Sequence, residues 1–80
     1  MMLRFLGGLV SRCGSEIRID EECVSVEKLR EIIARVCGED PSELGVTVIA
    51  SGKMIVFDDS GEEGGEVCGD ARVVPVAGGG

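Results

Sequence analysis

Ser25-Val26-Glu27-Lys28-Leu29-Arg30-Glu31-Ile32-Ile33-Ala34-Arg35-Val36-Cys37-Gly38 is the stretch that decides the fold. Val26, Leu29, Ile32, Ile33, Val36 and Cys37 recur at three- and four-residue steps, so a helix gathers them into one apolar stripe. Glu27, Lys28, Arg30, Glu31 and Arg35 fall on the opposite face. Ser25 suits the N-cap, where its hydroxyl accepts a bond from a donor that the first turn leaves unpaired. Gly38 stands where a left-handed C-terminal cap is wanted, and Pro41 prevents continuation. The expectation is an amphipathic helix of about thirteen residues whose stripe needs a surface to cover.

That surface comes from strands on either side. Met2–Leu6 alternates Leu3 and Phe5 against Met2 and Arg4, and Ser15–Asp20 alternates Ile17 and Ile19 against Glu16, Arg18 and Asp20. Gly7 and Gly8 break the first strand, and the segment to Gly14 reads as a connection with Leu9 tucked under the core. Two consecutive short strands make an antiparallel pair the default. Beyond the helix, Pro41–Leu44 reads as a single turn anchored by Leu44. Val46–Ala50 and Met54–Phe57 read as strands hinged on Ser51-Gly52-Lys53. Asp58–Asp70 reads as a polar loop, and Ala71–Val76 as the last strand. Strand, strand, helix, strand, strand, strand gives an α+β fold, a small mixed sheet with the helix on one face. A right-handed crossover brings a late strand parallel to the first.

Eighty residues hold one core and no more. The division is a domain over 1–76 and a flexible glycine-rich tail over 77–80. A net charge of −7 argues against nucleic acid, whose binding rests on basic residues that neutralise phosphates. Phe5 and Phe57 are the only aromatic residues, so stacking platforms for bases or sugars are not expected. The absence of histidine removes the commonest general base and metal ligand. No apolar run approaches a membrane span, and the opening residues do not read as a signal peptide, so a cytoplasmic setting is expected.

Cys13, Cys23, Cys37 and Cys68 contain no C-x-x-C spacing, which disfavours zinc. The leading reading makes them small buried hydrophobes; disulfides come second and reactive thiols third. No nucleophile is paired with an activator, so no catalytic residues and no metal site are expected. The Gly61–Gly69 stretch opens no helix, lacks a P-loop lysine and carries Glu62, Glu63 and Glu66, all unsuited to phosphate. The Asp58–Asp59 pair reads as an exposed turn rather than a cation site.

The chain closes Val73-Val74-Pro75-Val76-Ala77-Gly78-Gly79-Gly80. One reading is a frayed terminus. The other is mechanical. Pro75 has no N–H and marks the end of sheet pairing, after which each residue carries the chain up to about 3.3–3.6 Å further. Glycines pass through narrow channels, and a glycyl carboxylate is an unhindered acyl group.

This ending, with the opening Leu3–Gly14 stretch, the helix from Ser25 and the Val46–Lys53 hairpin arm, resembles the β-grasp (ubiquitin-like) sulfur carriers and modifiers. That group includes MoaD- and ThiS-like carriers, ubiquitin-related modifiers and small archaeal modifier proteins. In the family's hairpin an Asn-Gly turn stands where this chain has Ser51-Gly52, and the usual Pro-Pro is here Val74-Pro75. The chain also carries one glycine beyond the usual pair. The resemblance implies a mixed sheet of four to five strands on one main helix, in a protein that is not itself an enzyme. It binds no cofactor, and ATP is used by its partner, a ubiquitin-activating-like adenylyltransferase. The activated carboxylate would belong to Gly80, or to Gly79 after trimming, with Gly78 completing the arm. Further partners would be target proteins, joined through lysine, or a sulfur-accepting synthase subunit. Pro75, Val76, Ala77, Val73 and Ile55 are the candidate contacts, near the tail and on the last strands; for Val73 and Ile55 the leading alternative is that they are simply core. The alternatives are a dedicated sulfur carrier for molybdopterin or thiamin synthesis, and a non-covalent protein-interaction module.

Overall fold

In the computed structural model, residues 1–57 and 65–76 are described. The elements run β1 (Met2–Phe5), α1 (Leu9–Cys13), β2 (Glu16–Arg18), β3 (Cys23–Ser25), α2 (Val26–Cys37), α3 (Pro41–Leu44), β4 (Val46–Ala50), β5 (Lys53–Val56), β6 (Glu66–Cys68) and β7 (Ala71–Pro75). Five strands form a mixed sheet in the order β2-β1-β7-β4-β5, while β3 and β6 make a separate two-stranded ribbon. β1 is antiparallel to β2 and parallel to β7, and β4 runs antiparallel to both β5 and β7.

Helix α2 forms where the apolar spacing demands it. The Ser25 hydroxyl accepts from the Lys28 amide at 3.1 Å, and Gly38, at φ 79°, caps the far end by donating to Ala34. Leu29 and Ile33 are fully buried, each contributing roughly 2–3 kcal/mol through removal from water. They join one core cluster with Leu3 and Phe5 of β1, Val46 and Val48 of β4, and Ala71 and Val73 of β7. Strict alternation produces this set, since every second residue of a strand points to one face. The ladder places Phe5, Val73, Val48 and Ile55 in one inward row and Leu3, Ala71 and Ala50 in the next.

Several expectations need correction. The connection after β1 contains a one-turn helix, α1, on which Leu9 is buried as anticipated. Strands β3 and β6 were not foreseen, and β6 lies within the stretch read as a polar loop. Each has three residues, and each is defined by the other. The cysteines are not free hydrophobes: Cys13 is bonded to Cys37 and Cys23 to Cys68. The first bond ties α1 to α2 inside the core and the second crosses the β3–β6 ribbon. The hairpin turn is a residue shorter than read. Ala50 pairs with Lys53, leaving only Ser51 and Gly52 between, at φ 51° and 76°. Two successive positive φ values are what a two-residue hairpin of this twist requires. Asp58, Asp59, Glu62 and Glu63 fall outside the described residues.

One local network fixes the turn between α2 and β4. Asp40 caps α3, accepting from the Ser42 amide at 3.0 Å and from the Ser42 hydroxyl. The same carboxylate takes both Nε and Nη2 of Arg30 at 2.9 Å. The Arg30 fork first, and Ser42 second, hold the Asp40 carboxyl well below the usual carboxylate range.

Candidate functional site

The site begins where the last strand leaves the sheet. β7 lies between β1 and β4, so its end is held from both sides. The Leu6 amide donates to Val73 O at 3.0 Å. Gly7, at φ 63°, sits against the Pro75 ring; a Cβ there would lie 3.4 Å from Pro75 Cγ. Pro75 pairs with Val46, but pairing does not stop there. The Val76 amide donates to Gly45 O at 2.7 Å, one residue beyond the expected end. The Pro75 nitrogen faces the β1 side, as Val73 does, so its missing N–H leaves the pairing with β4 unbroken. Val76 is half exposed. Ala77, Gly78, Gly79 and Gly80 lie outside the described residues.

The remaining expected contacts are redistributed by strand parity. Val73 is fully buried and faces α2, and Ile55 is half-buried on the same inward side. Neither presents a side chain for docking. Their neighbours do so on the outer face, where Met54 is 69% exposed and Val56 57%. Ile49 is exposed beside Met54, Leu6 is exposed at the end of β1, and Val74 is half-buried. The sequence contains the signal for this assignment: once Val48 and Val73 are inward, positions 49, 54, 56 and 74 must point outward.

The outer face is also electrostatically divided. A cross-strand row runs Met54, Ile49, Arg72, Arg4, Glu16. The apolar residues occupy the β5 end, and two arginines stand side by side at the middle of the sheet. Arg4 Nε lies 3.5 Å from a Glu16 oxygen, an exposed contact worth little by itself. Arg4 and Arg72 border a shallow depression of about 320 Å³, together with Ile49, Ser51, Gly52 and Asp70. An apolar patch beside cationic groups suits a protein surface carrying apolar anchors and carboxylates. In a chain of net charge −7, this basic band is a local reversal of sign.

Among the described residues, Asp40 has a clearly displaced acidity, and its partners Arg30 and Ser42 explain it as a helix cap. No described buried side-chain N or O lacks a hydrogen-bond partner. No helix among the described residues is long and apolar enough to cross a membrane. Comparison of the chain with protein-family models, curated proteins and solved structures finds no match.

Proposed function

We propose that this protein is a ubiquitin-like carrier or modifier of β-grasp type, serving as substrate for an ATP-dependent activating enzyme. What supports this most is the position of β7. A central strand, parallel to β1 and gripped by β4, leads directly from Pro75 into Val76 and the glycine run. A rigid sheet that ends in side-chain-free residues is the mechanical form of an acyl group on a handle. The antiparallel β1–β2 hairpin, the α2 crossover and the parallel return of β7 agree with the β-grasp arrangement.

In this reading the terminal glycine carboxylate attacks the α-phosphate of ATP and releases pyrophosphate. A lysine amine then displaces AMP from the acyl adenylate and sheds a proton, giving an amide; a hydrosulfide-level sulfur donor displaces AMP in the same way, giving a thiocarboxylate. The acyl group is that of Gly80, or of Gly79 after trimming. A dedicated carrier would hand its sulfur to a synthase subunit; a modifier would remain on its target. The divided outer face, with Met54, Val56 and Ile49 beside Arg4 and Arg72, supplies the surface on which the activating enzyme docks.

Intact-mass measurement after incubation with ATP and the host's activating enzyme, with and without a sulfur donor, tests the proposal. Replacement of one terminal oxygen by sulfur supports the carrier branch, and recovery on lysines of other proteins supports the modifier branch. Neither adduct, with a competent enzyme present, rejects both. The exposed apolar face favours a second reading, a non-covalent interaction module; it requires that chains lacking Gly78–Gly80 bind their partner unchanged. The cytoplasmic setting belongs to the same proposal, and it carries a condition. Disulfides are rare in a reducing cytosol, so the oxidation state of the four cysteines reports the compartment.

A further inference from the structure

Alternation along the β3–β6 ribbon sends Val24 and Val67 into the core, both 2% exposed. It turns Cys23, Cys68 and Glu66 to the other side. Cys23 stands directly across from Cys68, and Glu66 is two residues from Cys68 on the same face. The two sulfurs and a Glu66 carboxylate oxygen all lie within 4.8 Å of one another. Sequence spacing conceals the group, because 45 positions separate the cysteines. Cys68 is exposed, whereas Cys13 and Cys37 are only 7% and 6% exposed. A depression of about 150 Å³ lined by Ser51, Lys53, Ile55, Glu66 and Cys68 gives approach from the hairpin side.

We propose that the Cys23–Cys68 pair and Glu66 form a redox-gated site for a borderline-soft divalent cation of the zinc class. A dithiol or phosphine reductant supplies two electrons. The S–S bond breaks, two protons from solvent or the dithiol complete two thiols, and the reductant leaves as a disulfide or phosphine oxide. The cation then displaces both thiol protons into solvent. Two thiolates and a carboxylate match the donors such an ion takes, at distances of about 2.3 Å for sulfur and 2.0–2.2 Å for oxygen. The fourth position stays open to water or to a partner's side chain. The ribbon ladder keeps the two cysteines opposite each other after reduction, and the Ser51 hydroxyl, donating to Cys68 O at 3.3 Å, adds a tether. A bound ion would thus replace the covalent cross-link with a coordinate one. This inference is independent of any chemistry at the glycine tail.

The test uses the full chain with Co²⁺ as the spectroscopic probe, without oxygen. Mild phosphine treatment followed by alkylation and peptide mass mapping is expected to label Cys23 and Cys68 and leave Cys13–Cys37 intact. Labelling of all four overturns the gating. Reduced protein should bind one Co²⁺ with a thiolate-to-metal charge-transfer band that the oxidised protein lacks, and Glu66→Gln should weaken binding about tenfold or more. The Cys23→Ser/Cys68→Ser double variant should lose the band. So should wild-type protein with those two thiols capped by iodoacetamide, a control that needs no variant to fold. No band in reduced wild type, an undiminished band after capping, or unchanged affinity in Glu66→Gln each overturns the site.

Discussion

Replacing Cys13 and Cys37 together by alanine tests what holds this small domain together. The bond joins residues 24 positions apart. Restricting an unfolded chain over that span is worth about 3.4 kcal/mol in the chain-entropy account. Losing two buried sulfurs from the α1–α2 contact removes about 1 kcal/mol more of packing. Domains of this kind are stable by about 5–15 kcal/mol, so a large share is at stake. Urea unfolding followed by circular dichroism measures it. With a slope near 1 kcal/mol/M, the midpoint should fall by about 4–5 M. The slope itself should rise, because an unlinked chain exposes more surface when it unfolds. A loss below about 1.5 kcal/mol, or a lower midpoint with an unchanged slope, would refute the unfolded-chain argument. Cys23 and Cys68 are 45 positions apart, and their removal should cost about 4 kcal/mol. The two spans overlap between residues 23 and 37, so the two losses should not add.

Two single substitutions and one pair give further outcomes. Asp40→Ala removes the α3 cap and the acceptor of the Arg30 fork, and should cost about 1–2 kcal/mol by thermal or urea melting. Because the folded Asp40 carboxyl is more acidic than its unfolded value near 3.9, its contribution is complete at neutral pH. It fades as pH falls below about 4 toward the folded value; stability that changes equally with acid in wild type and Asp40→Ala would contradict this. Ser51→Asn places a residue that tolerates positive φ in the hairpin turn and should add about 0.5–1 kcal/mol, and a lower melting temperature would contradict the turn assignment. Met54→Gln with Val56→Thr should leave stability within about 0.5 kcal/mol, as expected for surface positions. The same pair should raise the activating enzyme's KM for this chain, measured by pyrophosphate release; an unchanged KM would remove the outer face from the docking surface.

Much of the fold was legible where several weak signals agreed. Helix α2 has a stripe, an N-cap and a C-cap that all give the same boundaries, and β1, β4 and β7 each alternate around a few bulky residues. β6 had no such support. Glu66-Val67-Cys68 contains one inward residue, and its strand character comes from pairing with β3 far away in the chain. α1 is equally short and is secured by Cys13, whose partner no spacing rule identifies. At the candidate site the misplacement was one of parity. Val73, Val74 and Val76 look alike as apolar residues, and only the register against β4 decides which of them is buried. The role proposed for the tail rests on residue chemistry alone, and residues 77–80 lie outside the described structure.

The parallel pairing of β1 with β7 has a mechanical consequence. A pull transmitted through Val76 against the start of β1 draws the two strands past each other along their length. All the hydrogen bonds of that ladder then share the load at once, instead of opening singly as they do when a hairpin is peeled from its end. Should β7 slide free, the oxidised link at Cys68 arrests the extraction three residues short of the strand, with the pulled chain now anchored to Cys23. A machine that unravels proteins by gripping their tails would stall here unless a reductant had acted first, so the redox state of one bond sets how long the domain survives being pulled.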